Sequence, residues 1–168
     1  MRWIALVLAP VAAQADTTHD RFMDDLPTCV DAAADRYEAS ECISVYADTC
    51  MIEAEDGQSN LGMTACLNAE ADAWDKLLNQ EYRAALGWAE SADQEEAKYF
   101  PEYANRVDTI RAAQRAWIAF RDANCEMAYG LWGSGSMRYP AHALCRRDMT
   151  AKRTLDLRAY RTDMVGEW

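Results

Sequence analysis

The sequence predicts an all-α protein, a small disulfide-stapled helical bundle of about five helices. Three observations carry that prediction. Apolar residues recur at every third or fourth position through long segments, no run alternates apolar and polar residues far enough to make a strand, and six cysteines fall in 168 residues.

Taken in order, residues 20–37 and 41–53 read as two shorter helices broken near Ser40, and Gly57-Gln58-Ser59-Asn60 as a loop. The spacing then predicts a helix over 64–90, with Leu67, Ala71, Trp74, Leu78, Tyr82 and Ala85 on one side. A longer helix is expected over 102–129. Its apolar positions are Tyr103, Val107, Ile110, Ala113, Trp117, Phe120 and Met127, with Asn124 filling the one remaining step. Pro101 suits the first turn and Gly130 the stop. After a Gly/Ser-rich loop over 130–139, a last helix is expected over 140–163, with Leu144, Ala151, Leu155 and Ala159 inward. Trp74, Trp117 and Phe120 lie at helical spacing, so they read as core rather than as a ligand-binding box.

The N-terminus reads as a leader. Arg2 precedes an apolar run from Trp3 to Val11, and Ala13-Gln14-Ala15 is a cleavage signature. The run is far short of the ~20 residues a membrane span needs. Residues 1–15 are therefore expected to be a signal peptide cleaved near Ala15, and the remainder to be periplasmic or secreted. The first cysteine, Cys29, lies too far on for lipid attachment at the new N-terminus. Loss of Arg2 takes the formal charge from −11 to −12. Such a chain is repelled by nucleic acid and by anionic membranes and attracted to cationic partners, although solubility alone also accounts for the acidity.

An even cysteine count in an exported chain reads as three disulfides, for which sequence permits 15 connectivities. A metal site fails on spacing, since there is no C-x-x-C pair and only His19 and His142 are available. No cofactor is expected: the haem motif C-x-x-C-H is absent, and Gly133-Ser134-Gly135 lacks the residues of a phosphate loop. The chain does not read as an enzyme. His19 is expected near a frayed end, His142 follows Pro140, and Glu53, Glu55 and Asp56 read as a solvated acidic run.

Two segments go beyond generic helix. Asp75 to Tyr82 is a D-x-x-L-N-x-x-Y arrangement with Cys66 upstream, and Ala113 to Cys125 reads A-Q-R-x-W-I-x-F-R-D-x-x-C. Cys145, Thr150 and Arg153 follow in order. Together they resemble the LprI-like lysozyme-inhibitor family over roughly residues 50–160. The resemblance implies a helical domain at 50–168; residues 16–49, carrying Cys29 and Cys42, depart from the family's pattern and are expected to be a helical extension packed into one unit with it. It gives Asp75, Asn79, Tyr82, Arg115, Trp117 and Phe120 as a structural signature. Gln114, Arg121 and Asp122 have two readings. Arg121 can lock helices by holding a carboxylate such as Asp75 or Asp148, or the three can form an exposed binding patch; their interleaving with aromatics favours the lock.

Among the possible bridges, Cys125–Cys145 is expected to close the 130–139 loop, Cys50–Cys66 to join two helices, and Cys29–Cys42 to staple the extension. The function the resemblance implies is inhibition of lysozyme or a related cationic muramidase, by binding without catalysis. In that reading Trp132, Ser134, Ser136, Arg138 and Tyr139 enter the enzyme's cleft; otherwise they form an ordinary connector. The alternative function is a periplasmic interaction module whose envelope partner is not lysozyme. Oligomeric state stays open.

Overall fold

The computed structural model describes residues 19–165. Residues 1–15, expected to be a leader, lie outside them. The described chain is helical: α1 (Leu26–Ala32), α2 (Arg36–Ser40), α3 (Val45–Glu53), α4 (Asn60–Glu96), α5 (Arg106–Gly130) and α6 (Arg138–Val165), with short 3-10 turns at Asp20–Met23 and Pro101–Tyr103. No strand occurs among the described residues.

The organising element is α4. Ser59 starts it, its side chain accepting from the Gly62 backbone N–H at 2.9 Å, and 37 residues follow with few poor helix formers. Gly62 is required where it stands: a Cβ there would come within 2.1 Å of the Asp56 carbonyl, so the α3–α4 turn closes backbone against backbone. The inward stripe is the one the spacing predicts. Leu67, Ala71, Trp74, Leu78 and Ala85 are buried and Tyr82 is half-buried.

Helices α4, α5 and α6 form an up-down-up bundle. Because α6 runs parallel to α4, their contacts advance together: Asp72 pairs with Arg146, the Trp74 carbonyl accepts from Thr154 Oγ1 at 3.3 Å, and Glu81 lies 3.7 Å from Arg158. The N-terminal helices cover this pair. Leu26, Val30, Ala39 and Cys42 pack on Trp74, Ala151 and Leu155, and Ala47 reaches Leu67 and Ala143.

Three expectations need correction. The helix expected over 20–37 is broken at Ala33–Asp35, because Asp35 caps a new helix by accepting from the Glu38 N–H at 2.9 Å. His19 is not frayed; it is buried and meets Asp56 Oδ1 at 3.3 Å. The third concerns α5. Val107, Ile110, Trp117 and Asn124 are half-buried, but Tyr103, Ala113, Phe120 and Met127 face solvent, with Phe120 at 61% and Met127 at 58% exposure. Their mean spacing is shorter than a helical turn. At about 100° per residue, the twenty residues from Val107 to Met127 end roughly 160° away around the helix. The sequence stripe is real but precesses out of the core. Leu144 of α6 is likewise exposed, whereas Ala151 and Leu155 are buried and Ala159 half-buried.

Two neighbours of α4 begin on its carboxylates. Ser44, at φ +79°, precedes α3 with no side-chain cap of its own. Buried Glu70 supplies the cap, accepting from the backbone N–H of Ser44 at 2.8 Å and of Ala47 at 2.7 Å, while Trp74 Nε1 donates to it at 3.1 Å. Helix α5 starts at Arg106 rather than near Glu102 because Asp93 accepts from the N–H groups of Arg106 and Val107, at 3.1 and 3.0 Å.

Candidate functional site

Three of the signature residues, Asp75, Asn79 and Trp117, lie where α4, α5 and α6 meet. On α4, Asp75 and Asn79 are one turn apart, and Asn79 Nδ2 donates to both the carboxylate and the carbonyl of Asp75. On α5, Gln114, Trp117 and Arg121 recur at helical spacing on one face. Arg121 grips Asp122 through Nε and a terminal nitrogen, at 2.9 and 2.8 Å, and lies 3.9 Å from Asp75. Its guanidinium sits 5.1 Å from the Trp117 ring centroid, and Arg153 of α6 sits 5.9 Å from the same ring. Arg153 Nε donates to buried Gln114 at 3.0 Å. Gln114 thus spans two helices, and the indole is approached by two cations. Asp148 is engaged by Arg147. Of the remaining signature residues, Tyr82 is half-buried, whereas Arg115 and Phe120 are exposed.

The second group lies at the α5–α6 turn, beside the start of α4. Cys125 and Cys145 are bonded across its base, with Cα atoms 5.4 Å apart. Asn60 Nδ2 donates to Ser136 Oγ at 2.6 Å, and Arg138 donates to the Gly133 carbonyl at 3.0 Å. The Arg138 guanidinium lies over both Tyr129 and Tyr139, at 5.2 and 5.4 Å. Those two rings meet edge-on, and a hydrogen bond to Tyr139 raises the Tyr129 pKa above the usual phenol value. Gly133, at φ +53°, provides the left-handed step the turn needs. Leu131, Trp132, Ser134 and Tyr139 are exposed. A groove of about 450 Å³ opens alongside, lined by Thr64, Asn68, Glu126, Tyr129, Tyr139 and His142.

The structure therefore brings Gln114, Arg121 and Asp122 together with Asp75 and Asn79, and holds them apart from the turn. Sequence reasoning missed Glu70, whose role depends on a helix packed against it from elsewhere in the chain. It placed Arg153 on the last helix, in the order the family shows, but not against Gln114. For metals, the described residues offer one His/Cys cluster, His19 with Cys50 and Cys66, and its two sulfurs are joined in a bridge. The third bridge is Cys29–Cys42. No helix among the described residues is long and apolar enough to cross a membrane.

The family model described as "Lysozyme inhibitor LprI" matches residues 50–157, well over half of the chain. The match contains α4 and α5, the Asp75–Gln114–Arg121–Arg153 cluster and the turn. An uncharacterized protein of Rhizobium meliloti (strain 1021) is 32% identical over 100 residues, covering 60% of this chain and 72% of its own. No solved structure matches.

Proposed function

Because the chain belongs to the lysozyme inhibitor LprI family, we propose that it is an exported protein inhibitor of lysozyme-type muramidases, acting by binding without catalysis. The observation that carries this reading is the family match over the whole locked cluster and turn. Charge supports it in two ways. Enzymes of this kind cleave glycosidic bonds with paired carboxylates in a cleft, and residues 127–147, which contain the turn, include no Asp or Glu. The turn therefore meets such a cleft without like-charge repulsion. The rest of the chain is strongly acidic, which raises the rate of encounter with a cationic enzyme.

In this proposal Leu131, Trp132 and Tyr139 supply the surface that enters the cleft. Arg138 shapes the turn from within, and Ser136 is tied to Asn60. The Cys125–Cys145 bridge lowers the cost of ordering the turn on binding. Gln114, Arg121 and Asp122 hold the helices that present it.

The test is lysis of a bacterial cell-wall suspension by lysozyme, with the oxidised chain added in rising molar ratio and a reduced sample as control. Saturating inhibition near stoichiometric ratios, lost on reduction, is expected. A folded sample that leaves several lysozyme types uninhibited would sink the proposal and favour an envelope partner other than lysozyme.

A further inference from the structure

At the opposite end of α4 from the turn, the chain crosses to α5 through a corner that exposes three aromatic side chains. Tyr99 is 78% exposed, Tyr103 63% and Phe100 54%. Isolated exposed apolar residues are ordinary, but three aromatics within five residues are the composition of an interface centre.

This corner is stiff. Arg106 donates to Asp93 at 3.1 Å and to Glu96 at 2.7 Å, Asp93 also holds the first N–H groups of α5, and Lys98 pairs with Glu95 at 2.6 Å. The Phe100 and Tyr103 rings lie 6.4 Å apart, tilted against each other. Aromatics on a pre-ordered frame bind at little entropic cost.

Charge selects the occupant. From Glu90 to Asp108 there are six carboxylates and two bases, and both bases are engaged by carboxylates of the corner itself. Two copies meeting corner to corner repel each other, and an anionic membrane is repelled as well. A protein with a basic surface is attracted, and its apolar patches find the aromatic centre.

We infer that the α4–α5 corner is a second docking edge of this molecule, built for a cationic protein. The 37 residues of α4 separate it from the turn by about 55 Å. A small globular enzyme is roughly 30–40 Å across, so the two ends engage different molecules. The inference rests on the inhibitor reading for its choice of probe, a cationic lysozyme.

The experiment is calorimetric titration of a cationic lysozyme into the oxidised full chain at two salt concentrations, beside the lysis assay. Two lysozymes per chain are expected, one event weakening steeply with salt. The variant Y99A/F100A/Y103A loses that event at least tenfold, keeps the other event and the inhibition, and melts as the parent does. E90Q/E102Q weakens the same event severalfold and flattens its dependence on salt. A single event that the aromatic variant abolishes also supports the corner and removes the turn as the contact. A single event that survives in that variant overturns the corner and leaves the inhibitor reading standing. No binding by the parent chain overturns both.

Discussion

Glu70 is the most informative residue to change, because three donors from two helices converge on one buried carboxylate. In Glu70→Gln one oxygen becomes an NH2 group. Ser44 N and Trp74 Nε1 share Oε1, and Ala47 N uses Oε2, so the new amide confronts at least one N–H with another donor. A buried donor left unpaired costs about 1–3 kcal/mol, and the remaining bonds weaken from charge-assisted to neutral by about another 1 kcal/mol. The sum is roughly 2–4 kcal/mol. For a domain of this size it corresponds to a Tm lower by about 5–15 °C. Glu70→Ala, which leaves all three donors without their acceptor, is expected to cost more than Gln. The assay is thermal unfolding by circular dichroism at pH 7 with the bridges oxidised, alongside amide exchange of Ser44 and Ala47. A Tm within 2 °C of the parent for Glu70→Gln, with those amides still protected, would refute the argument that α3 is capped from α4.

Three other outcomes follow from the same geometry. Ser44→Gly removes the Cβ from a residue at φ +79° and is expected to stabilise by about 0.5–1 kcal/mol after the added freedom of the unfolded chain; denaturant melts showing a loss would contradict this. Burial pushes the Asp93 carboxyl upward, but the N–H groups of Val107 and Arg106 and the Arg106 guanidinium outweigh it and hold the pKa below the ordinary 3.8. A carboxyl held low in the folded state stabilises above its unfolded pKa and loses that effect as pH falls through the folded one. Asp93→Asn should therefore melt below the parent at pH 7, and the gap should close as pH drops below that ordinary value; a gap constant with pH would count against the pairing. Replacing Cys125 and Cys145 together by Ser opens a link across 20 positions. It is expected to cost about 3 kcal/mol and to weaken lysozyme inhibition more than the Tm loss explains, measured as residual inhibition well below the melt.

How much of this was legible depends on whether the information is local. The α4 stripe from Leu67 to Ala85 was readable because its spacing matches a helical turn and one face stays buried throughout. The α5 stripe misled because its shorter spacing walks Phe120 and Met127 into solvent, which a list of apolar positions does not reveal without summing the angle. The break before α2 was written in the chain as Asp35-Arg36-Tyr37-Glu38, a capping pattern that could have been read. Glu70 and Asp93 could not be read, since each caps a helix other than its own. The cluster divides the same way: Gln114, Trp117 and Arg121 share a face by spacing alone, whereas the meeting of Gln114 with Arg153, 39 positions on, belongs to the packing of α5 on α6.

The three bridges join the first cysteine to the second, the third to the fourth and the fifth to the sixth. A chain threaded N-terminus first through a membrane would present the first thiol of each pair and then its rightful mate before any thiol of a later pair. Oxidation in order of emergence then yields the native set, with no later reshuffling by an isomerase. The long-range joining of α4 to α6, which no bridge crosses, is left to side-chain packing after the last pair has closed.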